Sequence, residues 1–167
     1  MVQHNATARS TGKDLRMDEV RIDIQAPAAN VYELVADITN MGRWSPETHR
    51  TAWLDGATTA VPGARFKGWN KAKIGPVPAQ WSTTCVVRQA DPGRAFAFDT
   101  ITSGARWTYR FEPTGDHSCE VIETREVLDA PLHSRLLEKA LSSIRGPQLI
   151  EGMQVTLQRL KAAAEAA

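Results

Sequence analysis

Apolar and polar residues first alternate at Val20, Ile22 and Ile24, set against Arg21, Asp23 and Gln25. This is the two-residue period of a strand with one buried face. Residues 1–16 ahead of it are polar, carry Ser10-Thr11-Gly12 and show no apolar period. They predict a flexible N-terminal tail before a single domain over 17–167. Pro27 sits where a first helical turn tolerates it. Val31, Leu34, Val35 and Ile38 follow at helical spacing and predict a short amphipathic helix. The run from Thr39 to Pro46 ends that helix through a second helical turn, and Pro46 stops it.

Strand patterns then follow at 47–54, 64–72, 79–90, 94–102, 105–113 and 118–128. Their separators are turn signals: Asp55-Gly56, Pro62-Gly63, Gly75-Pro76, Asp91-Pro92-Gly93, Ser103-Gly104 and Thr114-Gly115-Asp116. Consecutive strands joined by short turns predict an antiparallel meander. From Pro131, Leu132, Leu136, Leu137, Ala140, Leu141 and Ile144 recur at helical spacing, as do Ile150, Met153, Leu157, Leu160 and Ala164. Gly146-Pro147 falls between the two sets, and proline in a helix removes a backbone donor, so a kink is expected there. So long and one-sided a helix must lie on the sheet. The fold class is therefore α+β, in the order β-α-α-β6-α, with a seven-stranded curved antiparallel sheet around a long C-terminal helix.

Charged residues mark the solvent face of each strand and fix the other face by parity. Arg65 and Lys67 turn Phe66, Gly68 and Asn70 inward. Arg88 turns Trp81, Thr83, Cys85 and Val87 inward, and Arg106 and Arg110 do so for Trp107, Tyr109 and Phe111. Phe96 and Phe98 share one face. His49, Thr51 and Trp53 share a face opposite Arg50, while Trp53 and Trp69 are candidates for the outer face. In 118–128, Glu120, Thr124 and Glu126 suit solvent, which turns Val121, Glu123, Arg125 and Val127 inward. Two inward charges require a mutual ion pair, a wet cavity or a register shifted by one residue.

Such an inner face suits a pocket that is mostly apolar with a few placed polar groups. Its candidate ligand contacts are Phe66, Asn70, Trp81, Phe98, Trp107, Tyr109, Glu123 and Arg125 from the sheet, with Leu137, Leu141 and Met153 from the helix. The same residues suit a solid core with a buried hydrogen-bonded cluster.

Composition narrows the function classes. The 42% hydrophobic and 23% charged content are those of an ordinary soluble domain. Twenty basic residues against nineteen acidic leave a net charge of +1, no excess for neutralising a run of phosphates, so a nucleic-acid partner is not expected. No secretory signal or membrane-spanning run is visible, and a cytoplasmic protein is expected. Cys85 and Cys119 form no disulfide framework, and four scattered histidines show no metal-ligand spacing. No phosphate loop or nucleophile elbow is present. The expectation is no cofactor and no metal.

The run Val20-Arg21-Ile22-Asp23-Ile24-Gln25-Ala26-Pro27-Ala28-Ala29-Asn30-Val31-Tyr32-Glu33-Leu34-Val35-Ala36-Asp37, followed by Arg43-Trp44-Ser45-Pro46, resembles the opening of the polyketide cyclase/dehydrase and lipid-transport proteins. Gly63-Ala64-Arg65-Phe66-Lys67-Gly68-Trp69-Asn70, Trp107-Thr108-Tyr109-Arg110-Phe111-Glu112-Pro113 and Thr156-Leu157-Gln158-Arg159-Leu160-Lys161 are similar too. The resemblance covers about residues 18 to 165 and is greatest to actinobacterial, mycobacterial-type members. It implies the START-like helix-grip fold and a deep pocket between sheet and helix for a lipid, sterol or polyketide-like molecule. It transfers no catalytic residue, because the matching motifs carry structure. Arg125 stands where an uncharged or aromatic residue is more usual.

Three functions follow. The first is binding or carrying a small apolar or amphipathic molecule, as a monomer or homodimer. The second is a cyclase or dehydratase with Glu123 as base and Arg125 or Tyr109 on the enolate oxygen. Against this stands a plain Glu123–Arg125 ion pair, and a solvated His49. The third is a protein-interaction or co-chaperone role on the same fold. Copurified ligand favours the first, a raised Glu123 pKa beside Tyr109 the second, an exposed apolar patch the third.

Overall fold

A computed structural model describes the backbone of residues 7–8, 17–128 and 132–167, and the side chains of 17–128 and 145–167. Strand β2 (Met17–Ile24) buries Val20, Ile22 and Ile24, as the alternation requires. Pro27 caps helix α1 (Ala28–Ala36), which turns Val31, Tyr32 and Val35 into the core. The Asp37 carboxylate then accepts from the Thr39 amide at 3.1 Å and the Asn40 side chain at 2.8 Å, fixing a 3-10 turn at Ile38–Asn40. Helix α2 (Met41–Trp44) follows directly. The buried Trp44 indole donates to the Leu34 carbonyl, and the Ser45 hydroxyl accepts from the amides of Glu47 and Thr48. The Trp-Ser-Pro junction thereby turns the chain into the sheet.

The meander comprises β3 (Thr48–Trp53), β4 (Arg65–Ile74), β5 (Val77–Asp91), β6 (Ala95–Thr100), β7 (Ala105–Gly115) and β8 (Ser118–Val127). Each strand pairs antiparallel with the next, and β8 returns beside β2. These seven strands form the curved sheet. At its edge a two-residue strand β1 (Thr7–Ala8), from the segment read as a tail, pairs with Arg21 and Val20. The other tail positions lie outside the described residues.

Helix α3 (Leu132–Glu165) is one element with Pro147 inside it. Met153, Leu157 and Leu160 are buried against the sheet in one core with Val20, Phe66, Phe96 and Phe111. Its end is fastened to β2, where Glu165 accepts from the Gln25 amide at 2.7 Å and Lys161 donates to the Asp23 carbonyl. This is the helix-grip arrangement, with the inner face of the sheet wrapped on α3.

Candidate functional site

The strand register settles which side chains share the inner face. Val20, Glu123, Tyr109 and Phe96 are successive partners across β2, β8, β7 and β6. Asp18, Arg125, Trp107 and Phe98 form the neighbouring row. The inward placement of Glu123 is therefore correct, and no slip of β8 is needed.

Glu123 and Arg125 do not pair with each other. Two positions apart on one face, each reaches a neighbouring strand instead. Arg125 forms an ion pair with Asp18 on β2 at 3.3 Å. The Tyr109 hydroxyl donates to Glu123 Oε1 at 2.7 Å, and Oε2 has no hydrogen-bond partner among the described residues. Glu123 is 1% exposed and Tyr109 3%. Burial pushes the Glu123 carboxyl up to about 8, against the opposing effect of the tyrosine hydrogen bond. The Tyr109 phenol is raised well above its ordinary value by burial and by the nearby Glu123. At neutral pH Glu123 is mostly a neutral acid. With Tyr109 donating to Oε1, its proton sits on Oε2 and can donate a hydrogen bond.

The other candidates divide by environment. Phe66, Phe98 and Met153 are buried in close packing; the Phe66 ring meets Phe98 edge-on at 5.2 Å and Trp53 at 5.9 Å. Asn70 is held on both sides: its Oδ1 accepts from Thr48 at 2.7 Å and its Nδ2 donates to Thr83 at 3.4 Å. Trp107, Trp81 and Arg125 are half-buried and form the accessible part of the inner face. The Leu137 and Leu141 side chains lie outside the described residues.

His49 does not join the inner face. A bulge between Thr48 and Arg50 breaks the alternation of β3, so Thr48, Thr51 and Trp53 oppose the inward Asn70, Gly68 and Phe66, and His49 is exposed. Trp53 accordingly packs inward. Trp69 lies outside, with Arg50 over its ring at 4.3 Å and Lys67 at 5.3 Å.

Sequence reasoning missed the residues at the lip between α3 and the β4–β5 hairpin. Arg145 grips the Glu47 carboxylate with two bonds at 2.7 and 3.1 Å and lies 5.6 Å from the Trp81 ring. Gln148 donates to the Lys73 carbonyl. The pairing joins residues far apart in the chain and leaves no local signal. Two open clefts of about 240 and 330 Å³ meet at this lip and share Pro46, Lys71, Ala72 and Lys73. None of the described candidate ligand contacts lines either cleft; Phe66, Phe98 and Met153 are buried in the core.

Other chemistries find little support in the side chains. Cys85 and Cys119 are free and buried, and burial pushes the Cys85 thiol up to about 12, so it stays protonated. Among the described residues no three His, Cys, Asp or Glu side chains converge as metal ligands, and no helix is long and apolar enough to cross a membrane.

Comparison with known proteins agrees with this geometry. No curated protein matches the chain in sequence. A polyketide-cyclase-like protein of Corynebacterium glutamicum is 31% identical over 87% of this chain and 88% of its own, with a TM-score of 0.57. A Mycobacterium smegmatis protein shares the fold at 17% identity and a TM-score of 0.62, covering 96% of this chain and 99% of its own. The di-domain ARO/CYC BexL of the BE-7585A biosynthetic pathway shares it at 22% identity and a TM-score of 0.52, over 86% of this chain and 47% of its own. Residues 19–165 match the family described as polyketide cyclase / dehydrase and lipid transport, and the chain belongs to that family.

Proposed function

We propose that the chain binds or carries a small neutral amphipathic molecule, lipid-, sterol- or polyketide-like, between the sheet and α3. The observation that carries this reading is the unpartnered Oε2 of Glu123 on the inner face. A buried donor without an acceptor costs roughly 1–3 kcal/mol. A ligand hydroxyl or carbonyl oxygen would recover that, while Trp107 beside it offers apolar surface. An anionic head group is disfavoured next to an acid that burial already keeps neutral. Family membership supports the pocket, and the 31% identity to the C. glutamicum protein supports an actinobacterial-type member.

Native mass spectrometry of the purified protein, followed by extraction of anything bound, tests the reading. A copurified amphipathic molecule is expected. A clean apo mass with no uptake from a panel of sterols, fatty alcohols and aromatic polyketides would overturn it.

A second reading, proton transfer on the bound molecule, is favoured by the raised pKa of Glu123 beside Tyr109. Under it Glu123→Gln abolishes turnover but retains the ligand; turnover that survives the substitution removes Glu123 as the acid or base.

A further inference from the structure

The net charge of +1 conceals a strong asymmetry. Between Thr48 and Arg88 the chain holds Arg50, Arg65, Lys67, Lys71, Lys73 and Arg88 against a single carboxylate, Asp55. Asp55 is taken by Arg65 at 2.9 Å, and Arg88 is taken by Asp99 at 2.7 Å. Arg50, Lys67, Lys71 and Lys73 form no ion pair among the described residues.

Alternation puts Lys67, Trp69, Lys71 and Lys73 together on the outer face of β4, since Phe66, Gly68 and Asn70 are buried on the other. Arg50 joins them as the register partner of Trp69. Opposite them on β5 stand Thr84, Ser82, Gln80 and Pro78, none of them acidic. Two carboxylates stand at the lip with Lys71 and Lys73: Glu47, already bound by Arg145, and Glu151 on α3.

This face continues onto a projecting arm. The β5–β6 pairing ends at Cys85–Thr100, and the β3–β4 pairing ends at Thr48–Asn70. Beyond those points no further strand pairing flanks β4 and β5, which run on to the turn at Gly75-Pro76 with the Lys71 amide on the Glu47 carbonyl and Gln148 of α3 on the Lys73 carbonyl. The arm ends at the turn in the exposed Pro78, paired with Lys73 on the lysine face, and in Val77, 60% exposed, paired with Ile74 on the other face. Apolar residues at a tip, lysines behind them and a tryptophan under two cations make an interfacial arrangement, in which apolar groups enter the boundary and amines meet phosphates.

We propose that the outer face and tip of the β4–β5 hairpin dock on an anionic phospholipid surface. Preference for a bilayer over a soluble polyanion comes from exposed Val77 and Pro78, and it rests in part on the carrier reading. The arm forms one wall of the lip clefts, so docking there would bring the space beneath α3 to the membrane from which an apolar ligand comes.

Flotation of the purified full chain with vesicles tests this, comparing pure phosphatidylcholine with equal parts phosphatidylcholine and phosphatidylglycerol. Binding to the anionic vesicles is expected, weakening as salt rises. Lys71→Gln with Lys73→Gln should lower it about twenty-fivefold, on the basis of roughly fivefold per cation near the surface. Val77→Asp should lower it as well, with circular dichroism of both variants unchanged. Equal binding to both vesicle types, or variants that bind like the parent, overturns the proposal. Retention on duplex DNA or polyaspartate without vesicle binding also overturns it and assigns the face to a soluble acidic macromolecule. Ligand uptake from solution, measured in the same variants, separates the two readings. Vesicle binding without uptake leaves docking in place and removes the carrier, whereas uptake without vesicle binding does the reverse.

Discussion

The Tyr109 hydroxyl donates to the Glu123 carboxyl at 2.7 Å between directly paired positions of β7 and β8, and both side chains are buried. The folded state thus holds a proton on Glu123 that the unfolded chain releases near 4.5 and the folded chain near 8. Fewer protons bound in the unfolded state mean that stability falls as pH rises through that window. The contribution is full below about 4.5 and gone above about 8.

Glu123→Gln should therefore flatten the pH dependence. In the parent, unfolding free energy should decline between pH 5 and 8 with a limiting slope of about 1.4 kcal/mol per pH unit, one proton's worth. In the glutamine variant that component should vanish. Urea titrations at several pH values measure it; an unchanged slope would mean that Glu123 is ionised in the folded protein.

Gly42→Ala should destabilise the fold although the residue sits in a short helix. An added Cβ would lie 2.7 Å from the His49 carbonyl oxygen, which is main chain and cannot turn aside. Overpacking of this kind costs about 1–3 kcal/mol. A shift of the urea midpoint at constant slope would report it, and a midpoint equal to the parent's would show that β3 can retreat from α2.

Much of this fold is readable from one-dimensional pattern. The ranges predicted for the strands fall within two residues of β3 to β8 at every boundary, because alternation and turn residues are local signals. The inward side of β4, β5 and β7 is equally local. The parity that grouped His49 with Thr51 and Trp53 failed because a bulge breaks it and leaves no residue signature of its own, whereas the solvated reading of His49 agrees with its exposure. The partners of Arg125 and Arg145 escaped because Asp18 and Glu47 are about a hundred positions away along the chain. The basic arm was hidden by summing charge over the whole chain, where the acidic residues of β2, β8 and the connecting segments cancel it.

Phe66→Ala and Trp107→Ala should separate core from site. Phe66 is packed between Trp53 and Phe98, so its truncation leaves a cavity and should cost about 3–5 kcal/mol. Trp107 is half-buried on the accessible inner face and should cost less stability while weakening ligand uptake. Denaturation and native mass spectrometry on both variants test the division. Equal stability losses with equal uptake would put Trp107 in the packed core.

Asp99 sets a pH limb of opposite sign to that of Glu123. It lies on the outer face beneath two guanidiniums, with Arg106 Nε and Arg88 Nε each at 2.7 Å. Burial works to raise its carboxyl, but the hydrogen bonds and charges of Arg106 and Arg88 outweigh it, so the pKa falls below the ordinary carboxylate range. As pH drops, the unfolded chain takes up this proton first. The stabilisation is thus present above the ordinary carboxylate pKa and lost as pH falls through the lower folded value. Asp99→Asn should cost about 1–2 kcal/mol at neutral pH, the low end for charged hydrogen bonds because both arginines reach solvent. It should also reduce the acid limb of the stability profile while leaving the decline above pH 5 to Glu123. With both carboxyls intact the profile should peak in mildly acidic solution, between the two limbs. A double variant, Asp99→Asn with Glu123→Gln, should be flatter than either single one. A parent profile that keeps rising up to pH 8 would contradict the assignment of a neutral acid to Glu123 and leave Asp99 as the dominant titrating group.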